Sequence, residues 1–132
     1  DLEGNQQSLA SLLGSKATVV CFWTSTSPLA TWQLSDLGPD VLEKHGPQGV
    51  QVVTINYKEP VAAARAAANK AQLSVPVLMD SQGTVFKQVA SDYLPRTYVL
   101  DAKGKVLWLD IGYSTETQRH LEEAIRYAIS LP

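Results

Sequence analysis

Ala17-Thr18-Val19-Val20-Cys21-Phe22-Trp23 is an unbroken run of apolar and β-branched side chains, followed a few residues later by Ser27-Pro28. A run without polar alternation predicts a strand covered on both faces. Such a strand needs neighbours on both edges and a layer of structure above and below it. Ser27 and Pro28 form a good N-cap and first-turn pair, so this strand leads almost directly into a helix N-terminus. A buried strand that turns straight into a helix commits the chain to an α/β architecture.

The rest of the chain supplies the partners of that strand. Val50 to Asn56 alternates into a second buried strand, and the helix begun at Pro28 is expected to run towards His45, kinked or interrupted at Gly38-Pro39. Pro60 to Gln72 is Ala-rich with Pro at its start and reads as a helix. Arg65 is the only charge between Pro60 and Lys70, so this helix is expected to be heavily buried against a sheet rather than to offer Ala62 to Ala68 to a partner. Val75-Pro76-Val77-Leu78-Met79 is a short apolar stretch ended by Asp80 and the turn Ser81-Gln82-Gly83, and Val85 to Val89 reads as a helical turn. Thr97 to Leu100 and Val106 to Ile111 flank Asp101-Ala102-Lys103-Gly104, a hairpin with Gly supplying the positive φ.

Ser114 or Thr115 caps a last helix, with Thr115 and Gln118 spaced as a capping box. Leu121, Ala124, Ile125 and Ala128 form its apolar stripe. At the start, Asp1 to Asn5 and Ser8-Leu9-Ala10 read as a short hairpin turning at Gly4-Asn5. The expected order is therefore β-β-α-β-α-β-β-α, one domain over residues 1–132 with a mixed central sheet and helices on both faces.

Composition narrows the function. With 45% hydrophobic and 18% charged residues among 132, the chain has an ordinary globular make-up. A net charge of -2 gives no reason to expect nucleic acid, which calls for clustered Lys and Arg. The single cysteine, Cys21, excludes an intrachain disulfide, and one cysteine with two widely spaced histidines, His45 and His120, makes no metal-ligand pattern. No cofactor is expected. Position 1 is Asp rather than Met, which leads us to expect a fragment or mature form, with membrane contact only through an N-terminal anchor outside these residues.

Three stretches carry a family resemblance. They are Val19-Val20-Cys21-Phe22-Trp23 ahead of the helix, Val75-Pro76-Val77-Leu78-Met79-Asp80, and Leu94-Pro95-Arg96-Thr97-Tyr98-Val99-Leu100-Asp101-Ala102-Lys103-Gly104-Lys105-Val106. Together with the Ala-rich helix inserted after Val50 to Asn56, they resemble the thioredoxin-like superfamily, and within it the TlpA/ResA/CcmG-type thiol:disulfide oxidoreductases. The resemblance implies a thioredoxin-like fold, an extracytoplasmic location, and a cis-proline at Pro95 facing the helix N-terminus.

The same resemblance puts the attacking thiol at Ser27 and the resolving thiol at Ala30, and neither position has sulfur. A hydroxyl near neutral pH is a poor nucleophile and cannot form a disulfide. Thr26 replaces the aromatic residue that precedes the first cysteine, and Gln33 stands where several TlpA-type proteins place a carboxylate. The expectation is a redox-inactive member with degenerate positions Thr26, Ser27, Pro28, Leu29, Ala30 and Gln33. It would bind a protein or extended peptide in a groove bounded by Trp23, Leu94, Pro95 and Arg96. The alternatives are an oxidoreductase whose natural cysteines at 27 and 30 were substituted, or a peroxiredoxin-like antioxidant protein suggested by Thr24-x-x-Ser27.

Other chemistry is weaker. Cys21 could act as a lone thiol, but a cysteine in mid-strand between Val20 and Phe22 reads as a small buried hydrophobe. Ser27 as a hydrolytic nucleophile would need an oriented base, and His45 lies at the far end of the helix that Ser27 begins. His120, in the last helix, has no evident carboxylate to orient it. Trp32 shares the Pro28 helix, and Trp108 faces in or out according to strand alternation.

Overall fold

A computed structural model describes residues 1–132. Five strands form one sheet in the order β3-β2-β1-β4-β5: β1 Ala17–Trp23, β2 Val50–Tyr57, β3 Val77–Asp80, β4 Arg96–Asp101 and β5 Val106–Ile111. β1, β2 and β3 run parallel, whereas β4 pairs antiparallel with β1 and with β5. All of β1 is buried, as its unalternating composition requires of a strand flanked on both edges and covered on both faces.

Side-chain alternation divides the interior in two. Val19, Cys21, Trp23, Val50, Val52 and Val99 point to one face, where α1 (Pro28–Asp36) and α5 (Thr115–Ser130) cover them through Leu34, Leu121 and Ile125. Val20, Phe22, Val53, Ile55, Tyr98 and Leu100 point to the other, under Phe86 of α4 (Thr84–Val89). The Asp80 carboxylate caps α4 by accepting the Val85 and Phe86 amides at 3.2 and 2.9 Å. The Ser114 hydroxyl caps α5, accepting the Thr117 amide at 3.2 Å.

Several expectations need correction. The N-terminal hairpin does not form: Gly4 turns the chain at φ +85° and Leu9–Leu12 coil into a 3-10 turn, so β1 is the first strand. The interruption expected at Gly38-Pro39 is present, and α1 ends at Asp36. A π-helical stretch, Leu37–Leu42, absorbs the proline, and the Glu43 amide reaches back five residues to Gly38 O before the short α2 (Glu43–His45). α3 (Val61–Lys70) buries only Ala64 and Ala68, so its Ala-rich surface is less covered than its lack of charge suggests. Alanine contributes little area, and a single contact row suffices to seat this helix. Ser114 rather than Thr115 caps α5, which places Thr117 at the third helical position and frees Gln118 to turn towards Asp36.

Candidate functional site

The β1–α1 junction carries four consecutive hydroxyls, Thr24 to Ser27. Ser27 is the N-cap of α1: its Oγ accepts the Ala30 amide at 3.4 Å, and Pro28 follows in the first turn. Ala30 is fully buried beneath this cap. The positions expected to hold a thiol pair therefore present a partly exposed hydroxyl and a buried methyl group. The hydroxyl serves the helix backbone. Thr24 and Thr26 hydroxyls share a hydrogen bond of 3.1 Å and do not converge on Ser27.

Glu59, just past β2, holds this loop in place. Its carboxylate accepts the Ser25 amide at 2.7 Å, the Ser25 hydroxyl at 2.6 Å and Asn56 Nδ2 at 2.7 Å. Burial by itself would raise the carboxyl, but the hydrogen bonds from Ser25 and Asn56 outweigh it and hold the pKa below the ordinary value. No motif singles Glu59 out in the sequence. An acid three residues beyond a predicted strand end looks like any solvated loop residue.

Beneath the junction, Cys21 is completely buried. Its thiol donates to Gln33 Oε1 at 3.3 Å, and Gln33 Nε2 donates to the Thr97 hydroxyl at 2.6 Å. Burial pushes the Cys21 thiol up to about 12, so it stays protonated and inert at neutral pH. Gln33, itself fully buried, is a neutral crosslink between α1, β1 and β4.

Opposite the helix N-terminus, the Leu94-Pro95 peptide is cis, and Tyr93 before it adopts φ +68° with its ring largely exposed. Gly112, after β5, donates its amide to Pro95 O at 2.7 Å. The Leu94 amide and carbonyl make no hydrogen bond within the protein. The four expected groove residues do not form one wall. Trp23 is fully buried on the α1/α5 face, while Arg96 is buried on the opposite face. The Arg96 guanidinium donates to Asp92 O at 2.5 Å and lies 6.0 Å from the Phe86 ring centroid. Adjacent strand positions alternate in direction, so Phe22, on the Arg96 face, separates it from Trp23. Pro95 is buried and Leu94 half-buried.

Leu29 and Trp32 on α1, and Tyr93 just before the cis-proline, are each at least 40% exposed. The Trp32 and Tyr113 rings stand nearly perpendicular, at 80°, with centroids 4.7 Å apart, and Tyr113 donates to Asp36 Oδ2 at 2.6 Å. Burial and the Asp36 carboxylate raise the Tyr113 hydroxyl well above its ordinary value, so it remains a donor.

The histidines are elsewhere. His45 is buried and contacts Glu122 at 2.8 Å, remote from Ser27 on the helical segment after α1, and His120 lies on α5. No group of three or more His, Cys, Asp or Glu side chains is placed to hold a metal ion. No helix is long and apolar enough to cross a membrane. Trp108 is half-buried, packed beside the α1/α5 core.

Strand order, the β1–α1 junction and the cis-proline beside it define a thioredoxin-like fold, here without its cysteine pair. The AhpC/TSA family profile matches residues 1–109, and the chain belongs to that family. Among curated relatives, the thiol-disulfide oxidoreductase ResA of Geobacillus kaustophilus is 26% identical over 124 residues, covering 92% of this chain and 70% of that one. Among solved structures, peroxidoxin BcpB of Mycobacterium tuberculosis superposes with a TM-score of 0.79 at 24% identity, covering 100% of this chain and 90% of that one. A secreted disulfide oxidoreductase of the same organism superposes with a TM-score of 0.78 at 22% identity, covering 96% and 91%.

Proposed function

We propose that this chain is a redox-inactive thioredoxin-like domain that holds an extended segment of a protein partner at the mouth between α1 and the Leu94-Pro95 loop. The observation that carries this reading is chemical. Where relatives of the ResA type have reactive sulfur by resemblance, Ser27 offers a hydroxyl engaged in helix capping and Ala30 a buried methyl group. The one thiol present, Cys21, is buried and protonated. The unpartnered Leu94 amide and carbonyl beside three exposed apolar side chains support a binding role, because a passing strand could pair with that backbone.

An extracytoplasmic location fits the secreted relative in M. tuberculosis and belongs to the same proposal. So does the assignment of residues 1–132 to one thioredoxin-like domain. The reading is tested by insulin reduction under dithiothreitol, where we expect the rate of a buffer blank. Turnover by the unmodified chain would remove it. A peroxiredoxin-like activity is tested alongside by peroxide consumption, with the same expected blank, because Thr24 and Ser27 provide no thiolate.

A further inference from the structure

Resting on that binding role, we infer that the mouth selects cationic segments: an extended polypeptide carrying Lys or Arg next to an aromatic or large aliphatic side chain. The juxtaposition behind this is an aromatic wall in a surface stripped of positive charge. No Lys or Arg occurs between Lys16 and Lys44, which spans β1, the hydroxyl loop and α1. None occurs between Lys105 and Arg119, which spans β5, Gly112 and Tyr113. Between Lys87 and Lys103 there is only Arg96, and its guanidinium is buried against Phe86 and Asp92 O. The same segments carry Asp36, Asp40, Asp92 and Asp110.

The aromatic side chains come from neighbouring segments. Leu29 and Trp32 are one helical turn apart on α1. Trp32 abuts Tyr113, and the neighbouring Gly112 is bonded to Pro95 at the end of the Tyr93 loop. The intramolecular cation–π contacts of the protein use Tyr57 and Phe86, which leaves the Trp32 and Tyr93 rings without an internal cation. An electron-rich ring face and a nearby carboxylate both favour a positive group, and neither favours an acidic one. Trp32, 40% exposed and packed against Tyr113, is then the specificity-determining residue.

The test uses the whole chain, isotope-labelled, titrated with capped peptides that share a central Leu-Phe pair and differ only in flanking Lys, Ser or Glu. At about 20 mM salt the Lys-flanked peptide should bind roughly ten-fold tighter than the Ser-flanked one, with the Glu-flanked one weakest. That preference should shrink to about two-fold near 300 mM salt, and amide shifts should centre on Leu29, Trp32, Tyr93 and Leu94. Trp32→Ala should weaken the Lys-flanked peptide about ten-fold, with Trp32→Phe recovering much of the loss. Asp40→Asn with Asp92→Asn should reduce the preference for Lys while keeping the Tyr93 amide bonded. Equal binding of Lys- and Ser-flanked peptides at this mouth overturns the charge selection and leaves the binding role standing. Absence of binding by every peptide removes both. Shifts confined to α5 overturn the assignment to this mouth.

Discussion

Putting sulfur back at the junction should restore thiol chemistry, because the backbone that would support it is intact. In Ser27→Cys/Ala30→Cys the first thiol takes the N-cap of α1, where the Ala30 amide already points at the Ser27 oxygen from 3.4 Å. A thiolate there meets the positive end of a nine-residue helix. That end is worth about 0.3–1 kcal/mol, rising to about 2 in partly buried geometry. At about 1.4 kcal/mol per pKa unit, this lowers a cysteine from about 8.5 to roughly 7–8. Few cations reinforce the effect, so the value should stay above those of strongly oxidising relatives.

The second thiol replaces a methyl group with no exposed surface, and the added sulfur costs about 1 kcal/mol of overpacking. Closing so short a loop stabilises the oxidised form by about 2 kcal/mol against its unfolded state. The double variant should therefore fold, form a dithiothreitol-reducible disulfide, and reduce insulin at least about ten-fold faster than the unmodified chain. The pH dependence of iodoacetamide alkylation should give the lowered value for the thiol at position 27. Ser27→Cys alone should form a mixed disulfide with glutathione and show no catalytic turnover. A folded double variant that forms no internal disulfide, or whose thiol at position 27 titrates at or above about 8.5, refutes the argument from the helix N-terminus.

Cys21 should resist Ellman's reagent in the native protein and react stoichiometrically in denaturant, since burial keeps its pKa near about 12. Gln33→Leu should cost about 1–3 kcal/mol in urea unfolding by stripping the Cys21 thiol and Thr97 hydroxyl of their shared partner. Glu59→Ala removes three hydrogen bonds to one carboxylate and should raise amide exchange at Ser25 with a stability loss of about 1–3 kcal/mol. Acid stability should depend on Glu122. Burial by itself would raise its pKa, but hydrogen bonds from His45 and Lys44 hold it at about 2. A folded-state pKa below the unfolded value near 4.5 gives stability that is present above that value and lost as pH falls towards 2. With the side chain partly exposed, we expect roughly 1–2 kcal/mol, and Glu122→Gln should flatten the pH profile of the thermal midpoint over that window.

Much of the fold was legible because its strongest signals are local. The unalternating Ala17 to Trp23 run, the Ser27-Pro28 cap, the Gly104 hairpin and the α5 stripe each follow from short-range sterics or periodicity, and each appears in the structure. The missing thiols were equally plain, since residue identity needs no coordinates. Pro39 marked the interruption of α1, but its π-helical form was not legible, because hydrogen-bond register is invisible to composition. The Ala-rich helix misled because absence of charge does not compel burial.

The sequence by itself determined that this is an α/β chain with a strand-to-helix junction carrying oxygen and methyl groups where sulfur is expected. Tertiary structure decided which residues meet. It buried Trp23 and sent Arg96 to the opposite face of the sheet, although both had been assigned to one groove. It brought Glu59 to Ser25 across 34 positions, and Tyr113 to Asp36 across 77. Such pairings arise from strand order and helix docking, which place residues side by side without leaving a local mark in the chain.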